Sequence, residues 1–262
     1  MSEPVLISLT STSRRIHGVD VVIESLLAQD RPAPLVLWLS TEPHLLDQGV
    51  APEAVPPRLR ALEGPRFAIR FTRNLGPYRK LLPARRIHAG IIVTADDDTL
   101  YPRDWLARLL VLHAKHPDAV CALSAHRMRI GTDGCLLPYL RWPAWDGDAP
   151  SHECFPTGKD GVLYPPNSLD PRVADEDALL ALAPTNDDIW FKAAARAAGS
   201  LAIAPPDHHT LPTTGIGAGL SGLFLRHNLT GNDDMLRRVF AHFGLEQSPV
   251  SPGTTAIGSP PV

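Results

Sequence analysis

Apolar positions along the chain alternate between two spacings. The runs VLISL (5–9), LVLWL (35–39) and FAIRF (67–71) are short and rich in β-forming residues, which predicts three strands. Residues 19–28 instead place apolar side chains at helical spacing until Pro32 stops them, so the first strand leads through a polar turn, TSTSRR (10–15), into a helix. A proline-bearing stretch, 42–65, joins the second strand to the third. The basic segment YRKLLP (78–83) leads into a fourth apolar run, GIIVT (90–94). Residues 105–113 are amphipathic and end near Pro117, and AVCAL (119–123) starts another strand. Strands separated by helices predict an α/β fold, a mostly parallel central sheet with helices on both faces.

The pattern breaks over 131–182, which is rich in Pro, Gly, Trp and Asp and has little periodicity. Long irregular stretches inside a compact domain are functional or disordered, and the aromatics here favour function. Periodicity returns as a helix over 187–198, a late strand over 201–204 and a last helix over 233–243. One domain over 1–247 lies within the size that α/β folds reach as a single unit, and the Pro/Gly/Ser-rich tail, 248–262, reads as flexible.

Composition narrows the class rather than the chemistry. With 44% hydrophobic residues, 20% charged residues and a formal net charge of -3, the 262-residue chain is patterned as an ordinary globule and not as a partner for nucleic acid. Cys121, Cys135 and Cys154 lack CxxC spacing, which argues against a disulfide framework or a thiolate zinc site and fits a reducing, cytoplasmic setting. No run reaches the ~20 apolar residues of a transmembrane segment, and MSEPVLISLTS lacks the basic leader of a secretory signal. Peripheral attachment at the inner face of the membrane stays open. The sequon at Asn228 is read as chance.

The fourth strand runs into three aspartates, Asp96, Asp97 and Asp98, in the string GIIVTADDDTLYP. In an open α/β sheet ligands bind beyond the carboxyl ends of the strands, so the charge falls where a ligand is expected. Adjacent carboxylates raise one another's pKa unless a cation or several donors compensate. Carboxylate oxygens suit Mn2+ or Mg2+, and alternation along an extended segment puts Asp96 and Asp98 on one face and Asp97 on the other. The competing reading is a solvated loop whose acids favour the N-terminus of the next helix.

Context separates the two. VIESLLAQ, LVLWLS, YRKLLPA, IIVTADDDTLYPRDWL, GVLYPPNSL and NDDIWFKAAA, in this order between about residue 5 and residue 198, resemble bacterial family 2-like polysaccharide glycosyltransferases of the GT-A (Rossmann-like) fold, and weaker similarity continues through GNDDMLRRVF. The resemblance implies a nucleotide-sugar donor of UDP or GDP type whose diphosphate is bridged to a DXD motif by Mn2+ or Mg2+, and a carbohydrate or lipid-linked acceptor. Asp98 would then be the principal metal ligand, with Asp96 sharing the metal or touching the ribose and Asp97 on the donor side.

Sugar transfer also needs a base for the acceptor hydroxyl, and Asp187-Asp188 in APTNDDIWFKAAA is the candidate pair. A carboxylate with an ordinary pKa near ~4 is ionised and competent at neutral pH, and the helix dipole helps keep it so. Thr185-x-x-Asp188 also fits a capping box, whereas the resemblance implies a catalytic base in an acidic pair at a helix start. Asp188 is favoured over Asp187, and a base opposite the donor implies inversion.

Other positions support this reading or compete with it. Arg79 and Lys80 lie where they could offset diphosphate charge, and Thr10, Ser11 and Arg15 follow the first strand toward the nucleotide. Gly161, in GVLYPP, permits close approach, with Tyr164 or Trp190 offering an apolar face to a pyranose. His208 or His209 could add a metal ligand. The string GAGLSG (217–222) matches GxGxxG but follows no clear strand, so it is rejected as a cofactor loop. The alternatives carried forward are a sugar nucleotidyltransferase, whose Gly-rich N-terminal phosphate loop is missing, and a catalytically silent sugar- or nucleotide-binding module.

Overall fold

The first strand, β1 (Val5–Thr10), is followed by α1 (Val19–Leu27) and β2 (Leu35–Leu39), and a single helical turn, α2 (Pro57–Arg60), precedes β3 (Phe67–Phe71). A 3₁₀ turn, Gly76–Lys80, leads into α3 (Leu82–Ile87), then β4 (Ile91–Ala95), the short β5 (Thr99–Leu100) and α4 (Trp105–Lys115). Next come β6 (Val120–Ala122), β7 (Ala125–Arg127), β8 (Cys154–Pro156) and β9 (Val162–Tyr164). The chain closes with α5 (Glu176–Leu182), α6 (Asp187–Ala197), β10 (Ala202–Ile203), β11 (Thr214–Gly215) and α7 (Leu229–His242). This computed structural model describes residues 3–132, 136–206, 213–216 and 229–245. Cys135, His208, His209, the GAGLSG string, the sequon asparagine and the tail from 248 lie outside the described residues.

Among the described residues the central sheet has seven strands in the order β10-β6-β9-β4-β1-β2-β3. All neighbours are parallel except β9, which runs antiparallel to both β4 and β6. The mostly parallel α/β sheet expected from the sequence is therefore present. Strand residues alternate between its two cores: Leu6, Val36, Trp38 and Ile92 pack with α3, α5, α6 and α7, while Ile7, Leu37 and Val93 pack with α1 and α4. Helices thus cover both faces, as required when both faces of a parallel sheet are apolar.

Three local readings change. GVLYPP is not a loop: Val162, Leu163 and Tyr164 form β9, paired with Ile92–Thr94 on one side and with β6 on the other. The basic segment at 78–83 contains the last part of a 3₁₀ turn and the start of α3. The last helix begins at Leu229, ahead of Asp233, with Gly231 inside it.

Candidate active site

The chain order reverses direction in the sheet at β1, which pairs with β2 on one edge and β4 on the other. The crevice beyond the carboxyl ends of β1 and β4 is the expected ligand position for such a sheet. A cavity of about 980 Å³ opens there, with Thr10, Ser11, Arg15, Asp96, Asp97 and Asp98 in its wall. The same cavity is lined by Asp187 and Asp188, which the fold brings from the first turn of α6. Two acidic clusters about ninety residues apart in sequence therefore share one space.

The three aspartates leave β4 in a turn rather than an extended segment. Tyr101 fixes that turn by accepting from the Asp96 N–H at 2.8 Å, while its ring packs on buried Trp105 at 4.5 Å. Asp97 is turned inward, accepting from Ser11 Oγ at 2.6 Å and pairing with Arg15 Nη1 at 2.7 Å. Asp96 and Asp98 remain 29% and 26% exposed. Arg15 also reaches Asp98, at 2.9 Å. Burial works against the Arg15 charge, but Asp97 and Asp98 outweigh it and raise its pKa. Asp98 stays under-compensated: burial, then Asp96, hold its pKa up in spite of Arg15.

Lys80 joins the two clusters. Its ammonium lies 2.9 Å from Asp96 Oδ1 and 3.1 Å from Asp187 Oδ2, the latter an ion pair without hydrogen-bond alignment. Burial pulls the ammonium down, yet Asp187 and Asp96 hold it well above its ordinary pKa. Lys80 is thus a fixed positive charge between the carboxylates. Asp188 is held by the Gly158 N–H, which donates to both carboxylate oxygens at 3.1 and 3.2 Å. Burial and then the Asp187 charge raise its pKa to about 7, against Lys80 and the Gly158 N–H. The ordinary value near ~4 expected from the sequence does not survive, because desolvation and the Asp187 charge exceed what Lys80 and the Gly158 N–H return.

The helix start is capped by Asn186, whose side chain accepts from Ile189 N at 3.3 Å, and not by Thr185. Asp187 and Asp188 are therefore free of the capping role and point their carboxylates at Lys80 and Gly158. Arg79, adjacent to Lys80, turns the other way. Its Nη2 pairs with Asp47 Oδ2 at 2.9 Å, and the guanidinium is buried against the carbonyls of Ser11 and Gly76. Asp47, unremarked in the sequence, also accepts from Ser13 N, Gly49 N and Asn74 Nδ2, so it anchors this wall. Thr10 likewise spends its hydroxyl on the carbonyl of Trp38, at 2.9 Å.

Three residues expected at the sugar are not in the cavity wall. Gly161 has φ +96° and presses against the Trp105 ring, so its freedom serves packing. Tyr164 is buried at the centre of the sheet, opposite Ile92. Trp190 is buried between α6 and α7, donating to the Val173 carbonyl at 3.0 Å. In their place the wall contains Gly158 and Tyr139.

Asp96 and Asp98 fit a hard divalent cation. Both carboxylates open onto the cavity, and Asp98 lacks sufficient positive charge around it. Among the described residues no group of three or more His, Cys, Asp or Glu is disposed to hold a metal. Two carboxylates would leave most coordination positions to substrate oxygens and water, which is how Mg2+-type ions bind at phosphate sites.

No protein-family model matches the chain, and no curated protein sequence matches it. Solved structures do. A mannosyltransferase from Pyrobaculum calidifontis, PcManGT, in complex with GDP-Man and Mn2+, is 17% identical, with a TM-score of 0.47 over 79% of this chain and 56% of that one. TarS residues 1–349 from S. aureus, in complex with UDP-GlcNAc, is 13% identical, with a TM-score of 0.44 over 78% of this chain and 56% of that one. The same TarS segment with UDP is 11% identical, with a TM-score of 0.47. The chain spans a little over half the length of these solved chains. Likeness at this level does not bear on chemistry, which the cavity itself must supply.

Among the described residues no helix is long and apolar enough to cross a membrane.

Proposed function

We propose that the protein is a GT-A glycosyltransferase that moves a hexosyl group from a UDP- or GDP-type nucleotide sugar to a carbohydrate or glycolipid acceptor, in bacterial polysaccharide biosynthesis on the cytoplasmic side of the membrane. The observation that carries this reading is one cavity holding Asp96 and Asp98 together with Asp187 and Asp188, with Lys80 paired to both Asp96 and Asp187. A diphosphate-binding end and a proton-accepting end are what the transfer requires.

In this reading the acceptor oxygen attacks the anomeric carbon and its proton passes to Asp188. The carbon–oxygen bond to the diphosphate breaks, and the nucleoside diphosphate leaves with the bonding pair. A base with a pKa of about 7 is suited to that proton transfer at neutral pH. The Gly158 N–H aims the carboxylate, and Asp187 holds Lys80 close to it. Lys80 and Arg15, preorganised by Asp96, Asp97 and Asp98, would offset the charge of the departing diphosphate. When bound at Asp96 and Asp98, Mn2+ or Mg2+ supplies further neutralisation of diphosphate charge. Attack opposite the leaving group gives inversion.

The test is nucleoside diphosphate release from a panel of UDP- and GDP-hexoses, with and without an acceptor, in Mn2+ and after chelation. Release that needs the metal is expected, with Asp188→Asn lowering kcat about 10²–10⁴-fold while donor affinity persists. Asp98→Ala should abolish any metal-dependent thermal shift by donor. Pyrophosphate release from a nucleoside triphosphate and a sugar phosphate, or full turnover by Asp188→Asn, would sink the reading.

A further inference from the structure

The cavity wall has two flanks, and the donor reading uses only one. The flank toward β1 and β2 carries Ser11, Arg15, Asp47 and Arg79, all engaged in ion pairs or hydrogen bonds with the acidic turn or with one another. The other flank lies across β4, toward β6, because the sheet order sets β9 and β6 on that side. Ser124, His126, Tyr139 and Thr157 line it. Its scaffold is the two-stranded sheet of β7 and β8, reinforced by the Thr157 hydroxyl donating to Ser124 Oγ at 2.8 Å.

Tyr139 is the only Phe, Tyr or Trp among the described residues of the wall. Its ring is fixed from several directions, by Trp142 at 5.0 Å, Phe155 at 5.6 Å and His126 at 6.0 Å between centroids. The backbone is pinned too, since its N–H donates to Asp233 Oδ1 at 2.7 Å. No described residue pairs with its hydroxyl through a hydrogen bond. Aromatic rings held rigidly at a cavity wall give large contact area at small entropic cost, and a polar tip at the wet end. A pyranose matches such a surface, with apolar C–H faces and hydroxyls around its edge. Asp188 lines the same cavity, and burial, then the Asp188 charge, push the Tyr139 phenol well above its ordinary pKa.

The geometry points to Tyr139 as the platform of an acceptor subsite that takes a pyranoside, seated on the β7–β8 flank with a hydroxyl directed at Asp188. This rests on the transferase reading above and adds to it the side from which the acceptor enters and the ring it stacks on. The aromatic-rich irregular segment at 131–182 thereby acquires a role in substrate choice.

The experiment uses the full chain, the hexose donor that the wild type turns over, and octyl glycosides of glucose, galactose, mannose and N-acetylglucosamine as acceptor probes. Tyr139→Leu keeps apolar volume against Trp142 and Phe155 but removes the flat ring, and Tyr139→Ala removes both. Each is expected to raise the acceptor KM about ten-fold or more while the donor KM stays within about two-fold, and Tyr139→Phe should keep the acceptor KM within about three-fold. If Tyr139→Ala does not fold, Tyr139→Leu decides. An unchanged acceptor KM, or donor and acceptor KM rising together, would overturn the subsite while leaving the transferase reading intact. Donor hydrolysis with no octyl glycoside accepted would overturn the pyranoside assignment. No turnover of any donor by the wild type would overturn both.

Discussion

Replacing Gly158 by alanine separates the proposed chemistry from the fold. The Gly158 N–H holds Asp188, and a Cβ built at this position would stand 2.7 Å from Lys80 Nζ, 3.2 Å from Asp188 Oδ1 and 3.7 Å from Asp96 Oδ1. The backbone does not resist the change, because positive φ is found at Gly161 and not at Gly158. What must yield is the flexible end of Lys80, with a smaller adjustment of Asp188. Moving the ammonium far enough to admit a methyl group stretches its 2.9 and 3.1 Å contacts with Asp96 and Asp187. Hydrogen bonds to charged groups are worth about 1.5–3 kcal/mol. Losing one such contact from the transition state corresponds to roughly 10–100-fold in kcat/KM, at about 1.4 kcal/mol per factor of ten.

Gly161→Ala makes the matched comparison. There the Cβ would meet Trp105 Cζ2 at 2.5 Å and Nε1 at 2.8 Å, with φ at +96°. Trp105 is wholly buried and donates to the Asp160 carbonyl at 2.7 Å, so neither partner can withdraw cheaply. Overpacking and backbone strain together cost about 2–4 kcal/mol. The measurements are urea unfolding and nucleoside diphosphate release per folded molecule. Gly158→Ala is expected to lose activity out of proportion to its loss of stability, and Gly161→Ala the reverse. Full kcat/KM in Gly158→Ala, or equal destabilisation of the two variants, would refute the assignment of Lys80 and Asp188 to one working unit.

The pH dependence of turnover follows from the Asp188 value of about 7: the base must be unprotonated, so kcat should fall about ten-fold per pH unit below that point and level off above it. A profile flat down to pH 5 would remove Asp188 from the base role. Because its folded pKa lies above the unfolded value, Asp188 costs stability as pH rises through this window, and Asp188→Asn should unfold at higher urea than the wild type at neutral pH. Lys192 is 3% exposed, and its Nζ finds no hydrogen-bond partner among the described residues; burial lowers its pKa from 10.5 to about 8. The native state releases that proton before the unfolded chain does, so stability should rise between about pH 8 and 10.5, and Lys192→Met should gain up to about 3 kcal/mol at pH 7. A decrease in stability for Lys192→Met would show that its ammonium has a favourable partner.

The parts of the molecule legible in the sequence are those whose signal is local. β1, β2, β3 and β4 are contiguous apolar runs, and the aspartates adjoin the last of them, so strand-end position and charge can be read together. β9 escapes because VLY is only three residues between a glycine and two prolines, and nothing nearby shows that β4 and β6 leave a slot for it. With that slot unseen, Tyr164 reads as an exposed aromatic when the sheet in fact buries it. Arg79 and Lys80 are adjacent and chemically alike, and only the 3₁₀ turn that carries them decides that one anchors Asp47 and the other bridges the acids. Tyr139 gives still less: its segment has no period, and its place in the wall depends on β7, β8 and α7 together.

The same contrast explains why the metal argument changes form. From the sequence, three adjacent carboxylates call for a cation or several donors, unless they are simply solvated. The fold answers part of that demand from distant positions, Arg15 for Asp97 and Asp98 and Lys80 for Asp96. What remains is the incomplete neutralisation of Asp98, a smaller and more specific deficit than a bare run of aspartates suggests. In the proposed reaction, a site partly neutralised by its own side chains would keep its shape between turnovers and would still take a divalent ion once a diphosphate supplied the missing oxygens. Lys80 gives this arrangement its directional consequence, because the ammonium that steadies Asp96 also faces Asp187 and tempers the charge around Asp188. In the proposed transferase, a diphosphate that engages Lys80 at one end of the cavity should therefore shift the protonation of Asp188 at the other.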